Sequence, residues 1–353
     1  RFTSFLSKNL RKRHPGTGPG LFLPLMPVMH TKSIVIRSSA NWKKYNYLSY
    51  KNKEISHNRL GPFMAICRYL PEGRISAVPI DAFVSVKPSY LADSASAEYD
   101  ILRLFYNNRE GVVRYSVKAG GKYIFTDTLP RTKGLNEISC RLNGAKDVLL
   151  EFTGNVSPDI FGISIESETG VIIDNIPQRG SAGLEFTMVD SGNLAESYRK
   201  LAPDLFVLQY GLNIVRNVRD EYTYYKRGLE RQLSLLKEIS PSVAVLVVSV
   251  TDMASNEDGL IRSYHNIPAI IDAQRLAAEK TGAAFWDSYN AMGGDSSIYR
   301  WSEKSPSLSQ KDYTHFTYTG ADSLSRILAE AVFTRGKIDS TVLTGGTNDS
   351  VSV

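Results

Sequence analysis

The chain has 353 residues, 42% of them apolar and 22% charged, a length beyond one ordinary core and a balance far from disordered or collagen-like chains. Lysine and arginine outnumber the acids 42 to 36, with much of the excess near residues 8–13 and 43–53. No nucleic-acid module accompanies these runs, so nucleic acid is not an expected partner, and attraction to an anionic polymer such as a cell-wall glycan is the better use of the charge.

Phe2, Phe5, Leu6 and Leu10 fall on one helical stripe, so a helix is predicted at 2–10, ended by the Pro and Gly cluster at 14–20. The stretch 34–60 is basic and tyrosine-rich and predicts irregular structure with one or two strands. From 63 to 166, short alternating runs at 82–86, 101–106, 112–117, 123–126 and 148–152 are separated by turn signals such as Asn107-Asn108, Gly120-Gly121 and Asn143-Gly144. That is the pattern of a β-sandwich or jelly roll. Cys67 and Cys140 stand too far apart for a zinc or redox motif, and suit either one disulfide or two buried thiols.

Beyond Gly170 the period changes. Continuous apolar strands at 171–176, 205–210, 243–250 and 283–286 alternate with helical stretches at 185–200, 220–239 and 266–281, and a last helix fits 319–335. This predicts a parallel sheet covered on both faces. The expected organisation is therefore an α/β domain at 1–65 and 167–336, interrupted by an all-β sandwich at 66–166, with a tail or linker at 337–353. No stretch approaches the roughly 18 apolar residues of a membrane span.

Open α/β sheets bind ligands beyond the carboxyl ends of their strands, and three loops there carry suggestive residues. Asp312 and His315 are three apart before the last helix. This spacing lets a carboxylate hold one imidazole nitrogen while the other faces a nucleophile, or else caps the helix. Asn213, on a Gly-containing loop, could donate to a developing oxyanion or hold its own turn. Gly180 and Gly183 could bring N–H groups to a ligand or permit a positive φ. His14, His30, His57 and His265 have no partner pattern and are expected on the surface or in the core. Neither a metal cluster nor a nucleotide loop is present in the sequence, so no metal or cofactor is expected.

Gly183 in "RGSAG", Asn213 in "QYGLN" and Asp312 with His315 in "DYTHF" resemble the second, third and fifth sequence blocks of SGNH (GDSL-type) hydrolases. The longer stretches "DNIPQRGSAG", "VSVTDMAS", "FWDSYNAMGG" and "DYTHFTYTGA" resemble a bacterial, Bacteroidetes-type branch of that family. The likeness covers about residues 170–335, and the first 25 more loosely. It implies a three-layer, flavodoxin-like α/β fold and ester hydrolysis by a serine. Gly183 N–H and the Asn213 amide would form the oxyanion hole, with Asp312 and His315 completing the triad. The inserted sandwich resembles a carbohydrate-binding module. That implies an acetyl ester on a glycan, peptidoglycan or polysaccharide, and an exported, periplasmic or cell-envelope location. The rival expectation is a non-catalytic glycan-binding or cell-surface protein on the same scaffold.

One block departs from the pattern. The family's Gly-Asp-Ser nucleophile stands at the end of the first, central strand, followed by a helix, whereas the one Gly-Asp-Ser here, 294–296, comes late. Ser181 is the in-chain alternative, but Gly180 is adjacent to it and the Gly-x-Ser-x-Gly spacing of a nucleophile elbow is not met. The expectation is that the nucleophile lies upstream of Arg1. On that reading the chain is an inactive fragment, with a vacant slot or unpaired edge between the strands at 171–176 and 205–210.

Overall fold

The computed structural model describes residues 2–26, 33–90, 92 and 97–333; the tail expected at 337–353 and His30 lie outside them. Helix α1 (Phe2–Arg11) forms as its apolar stripe predicts and buries Leu6 and Leu10. These meet Leu246, Val248, Leu328 and Ala329 in one cluster, and the Asn9 amide donates to Asp322 and Ser325 at 2.9 Å each. This helix is thus joined to the stretch 322–329 on one layer of the α/β part.

A β-sandwich follows. Its strands are β1 (Gly20–Phe22), β2 (Ile34–Ser38), β3 (Lys43–Asn46), β4 (Ala65–Arg68), β5 (Ile80–Pro88), β6 (Tyr99–Asn107), β7 (Val113–Ala119), β8 (Lys122–Leu129), β9 (Asn136–Ala145), β10 (Val148–Gly154) and β11 (Asp159–Glu166), with a short helix α2 (Tyr47–Lys51) after β3. One sheet runs β3-β4-β11-β6-β9 with β1 on β11, and the other β2-β5-β10-β7-β8. Strict alternation in β7 and β10 turns Val113, Tyr115 and Val117, and Val148, Leu150 and Phe152, into the core, as a sheet with one wet face requires.

The sandwich begins earlier than the expected residue 66. Gly20 pairs with Ile165, Ile36 with Val86 and Tyr45 with Ile66, so both sheets draw strands from the first 46 residues. The sequence hid them because β2 and β3 are sheet edges. Of their nine residues only Ile34 and Tyr45 are buried, and edge strands rich in charge carry little alternation. Cys67, on β4, is buried and Cys140, on β9, half-buried, and both are free thiols. Burial pushes them up to about 12 and about 11.

The remainder is α/β. A 3-10 turn (Phe186–Met188) leads into α3 (Ser191–Leu201), β12 (Leu205–Gln209), α4 (Leu212–Val215), α5 (Thr223–Ile239), β13 (Ala244–Val248), the hairpin β14 (Ala254–Glu257) and β15 (Leu260–Ser263), α6 (Ile267–Thr281), β16 (Ala284–Trp286), α7 (Ser288–Met292), α8 (Ser297–Ser302) and α9 (Tyr318–Phe333). The hairpin was not foreseen, although Asp258-Gly259 at its tip, both with positive φ, is a strong two-residue turn signal. The parallel sheet has the order β12-β13-β16.

β13 is central and buried from Val245 to Val248. β12 pairs with β13 alone among the described residues, and its Val207 is 40% exposed. The strand expected at 171–176 is not formed. Val171 and Ile173 still pack on the cluster beneath α1, so the apolar run does its share of burial. A run becomes a strand only when a neighbouring strand takes its backbone bonds in a ladder; here Val171 is held outside any ladder, its N–H by the Pro15 carbonyl at 2.6 Å and its carbonyl by Arg11 Nε at 3.1 Å.

Candidate active site

The turn carrying Asp312 and His315 is closed on itself. Ser309 bridges Phe316, Gln310 N–H donates to the His315 carbonyl at 2.7 Å, and Thr317 N–H to that of Leu308 at 3.0 Å. Within it, Asp312 Oδ1 accepts the N–H groups of Thr314 and His315 at 3.0 Å each. Its other oxygen lies 2.7 Å from His315 Nδ1. Burial pushes the Asp312 carboxyl up, but the His315 N–H, the His315 ring and the Thr314 N–H outweigh it and hold the group below the ordinary carboxylate range.

An ionised Asp312 puts the imidazole proton on Nδ1 and leaves Nε2 as a base. The two side chains are 70% and 45% exposed, so the pair contributes little stability. What it fixes is the orientation of the ring. Between them Tyr313 has a φ of +50°, an uncommon conformation for a bulky residue, costing roughly 1–2 kcal/mol. It is held from both sides: its N–H donates to Gln310 and its carbonyl accepts Ala254 N–H at 3.0 Å. The ring packs 6.1 Å from that of Tyr299.

A second group of residues surrounds Ser181. Asn213, on α4 just beyond β12, donates through Nδ2 to the Ser181 carbonyl at 2.7 Å. Gly183 N–H donates to Ser181 Oγ at 2.7 Å, and that hydroxyl donates to Glu185. Gly183 has a φ of +85°, and a Cβ there would meet Tyr210 at 2.5 Å, so both space and conformation demand glycine.

Two expectations are adjusted here. The Gly183 N–H, expected to face an oxyanion, is taken up inside its own loop, because a serine two residues back is well placed to accept it. Ser181, the in-chain alternative nucleophile, is buried with a carboxylate for its partner, and no bond joins it to His315 among the described residues. It links Gly183 and Glu185 across the loop.

The structure thus brings Asn213, Ser181 and Gly183 into direct contact, and Asp312 onto His315. The two groups share no direct bond among the described residues. Both are tied to carboxyl ends of the parallel strands, the first through Asn213 after β12 and the second through Ala254 after β13. Gln274, in the interior of α6, spans these ends: its carbonyl accepts Val250 N–H at 2.8 Å and its amide donates to the Tyr210 carbonyl at 2.9 Å. Asp252, fully buried, accepts Ile298 N–H at 2.9 Å, and burial raises its carboxyl. Sequence reading missed both, since a glutamine inside a helix and an aspartate after a strand carry no local signal of a distant partner. No group of His, Cys, Asp and Glu among the described residues has a metal-binding arrangement.

No known family's sequence profile matches the chain, and no curated protein matches it. Among solved structures it superposes on a peptidoglycan O-acetylesterase with a TM-score of 0.70, covering 94% of this chain and 85% of that one at 17% identity. Other matches include a family two carbohydrate esterase from Cellvibrio japonicus, at 7% identity over 88% of this chain and 98% of that one, with a TM-score of 0.28 too low to support an argument. The first likeness shows a shared fold, an α/β part with a parallel sheet joined to antiparallel β sheets.

Proposed function

We propose that this chain is the greater part of a serine ester hydrolase that removes acetyl groups from a glycan, with His315 as base and Asp312 as its orienting partner. The observation that carries the reading is the 2.7 Å contact of Asp312 Oδ2 with His315 Nδ1, which leaves Nε2 without a partner among the described residues on an exposed turn. The serine would come from a strand outside residues 1–353. In support, the outer edge of β12 is open, with Val207 40% exposed in a sheet position that ordinarily lies under cover.

In the reaction the serine hydroxyl gives its proton to His315 Nε2 as its oxygen attacks the ester carbonyl. The imidazolium, held by Asp312, returns the proton to the leaving alcohol, and a water then repeats the sequence on the acyl-enzyme. An amide nitrogen has two hydrogens. One on Asn213 is fixed by the Ser181 carbonyl, and the second stabilises the tetrahedral oxyanion. Gly183 N–H joins it once the Ser181 hydroxyl turns away. The acetylated glycan is favoured by the likeness to a peptidoglycan O-acetylesterase and by the sandwich attached to the domain.

The test is hydrolysis of O-acetylated peptidoglycan by the protein made from its full reading frame. Acetate release that falls roughly 100- to 1,000-fold on Asn213→Ala, the usual cost of an oxyanion donor, is expected. No release from any acetylated glycan would favour the non-catalytic glycan-binding alternative.

A further inference from the structure

The basic run at 43–53 has no part in the chemistry above, yet it borders a cleft. A hollow of about 870 Å³ beside α2 is lined by Tyr50, Lys51, Lys53, Glu72, Arg109 and Glu110, among others. Its carboxylates are already engaged. Glu72 accepts Ser56 N–H at 2.6 Å and Arg109 Nη2 at 2.8 Å. Glu110 accepts Arg68 Nη2 at 2.8 Å and Gly73 N–H at 3.0 Å, and Glu54, also on the wall, pairs with Lys43 at 2.7 Å.

Its donors are not. Lys51 lies 5.2 Å over the Tyr47 ring, and neither it nor Lys53 has a carboxylate partner among the described residues. Arg109 directs Nη2 at Glu72, Asp159 and His57, while its buried Nε has no acceptor among the described residues. Buried donors are almost always satisfied, and leaving one unmet costs roughly 1–3 kcal/mol. With Glu54, Glu72 and Glu110 paired to Lys43, Arg109 and Arg68, Lys51 and Lys53 are the wall's cations left for a negatively charged acceptor, and Tyr50 supplies an aromatic ring beside them.

We propose that this cleft is a subsite for the carboxylate of an acidic sugar; that the carboxylate belongs to a sugar rests on the glycan reading above. The cleft connects to the candidate active site through one stretch of chain. Ser56 is bonded to Glu72, and seven residues on the Phe63 carbonyl accepts Gln178 Nε2 at 2.8 Å. Seven residues reach at most about 25 Å. Ser56 on the cleft's wall and the side chain of Gln178, three residues before Ser181, are thus separated by no more than about that length of chain.

The test is a titration of residues 1–353 with N-acetylmuramic acid, with N-acetylglucosamine, which lacks its 3-O-lactyl group and so its carboxylate, and with free lactate, followed by NMR shifts. The sugar acid is expected to bind about ten-fold tighter than either, as a charge-assisted contact implies, and to weaken with salt. Its affinity falls to that of N-acetylglucosamine in the Lys51→Ala, Lys53→Ala double variant, whose exposed positions leave the fold intact. Arg109→Gln gives the same loss. Equal binding of the neutral sugar, equal binding of lactate, or an unchanged double variant overturns the proposal. Because binding is read without turnover, and also in His315→Ala, its failure is separate from failure of the esterase reading.

Discussion

Gly183→Ala perturbs the loop that holds Ser181 and Asn213, and its cost can be worked from the coordinates. A φ of +85° costs a non-glycine residue roughly 1–2 kcal/mol. The new Cβ would lie 2.5 Å from Tyr210 Cγ and 2.6 Å from Cδ2, distances at which the loop or the ring must move, and overpacking of this kind costs about 1–3 kcal/mol. The expected destabilisation is thus about 2–5 kcal/mol. Gly180→Ala is the control: its φ is +77° but a Cβ there meets nothing within 4 Å, so it should cost only the conformational part, about 1–2 kcal/mol. Urea unfolding of both variants measures the difference as a shift in midpoint at constant slope. Equal losses would refute the reasoning, because they would leave no cost for the contact with Tyr210.

Three further outcomes follow from the sandwich. Asp159→Ala removes a carboxylate that meets Arg68 Nη1 at 2.5 Å and Arg109 Nη2 at 3.2 Å. Arg68 is only 2% exposed and would keep Glu110 alone as its carboxylate partner, so breaking this buried pair should cost at most about 3–5 kcal/mol in the same unfolding assay. Burial raises the Asp159 carboxyl, but the His57 ring, Arg68 and Arg109 hold it below its ordinary value of 3.8. Its stabilising contribution is therefore complete above that value and lost as pH falls through the lower folded pKa. Unfolding midpoints should drop on acidification below about pH 4, and less steeply in Asp159→Ala. Cys67, with its thiol pushed up to about 12, should resist alkylation in the folded protein and react on unfolding, as mass spectrometry will read.

Local signals were legible in the sequence and distant ones were not. Asp312 and His315 could be paired because their bond closes within one turn. Asn213 could be placed because a glycine-containing loop follows an apolar strand. The α/β pattern held for the strands at β12, β13 and β16, whose buried runs need no partner to be recognised. The run at 171–176 reads equally apolar, yet strand formation depends on a neighbour that the run itself does not encode.

His57 looked like an isolated histidine and lies 3.4 Å from Asp159, a residue more than a hundred positions away. Arg68 and Asp159, 91 apart, likewise carry no mutual signal. The sandwich boundary was misread for a similar reason, since β2 and β3 are charged edges whose pairing is set by strands far along the chain. The Gly183 N–H was assigned by its block and not by its neighbours, and a serine two residues back takes it.

The central claim is that His315, oriented by Asp312, is the base of an ester hydrolase whose serine lies outside residues 1–353. The measurement that tests it most directly compares acetyl-ester hydrolysis by residues 1–353, by the full reading frame, and by each with His315→Ala and Ser181→Ala. The account predicts activity in the full reading frame alone, abolished by His315→Ala and retained in Ser181→Ala in proportion to folded protein. Hydrolysis by residues 1–353 that disappears with Ser181→Ala would contradict it and make Ser181 the nucleophile.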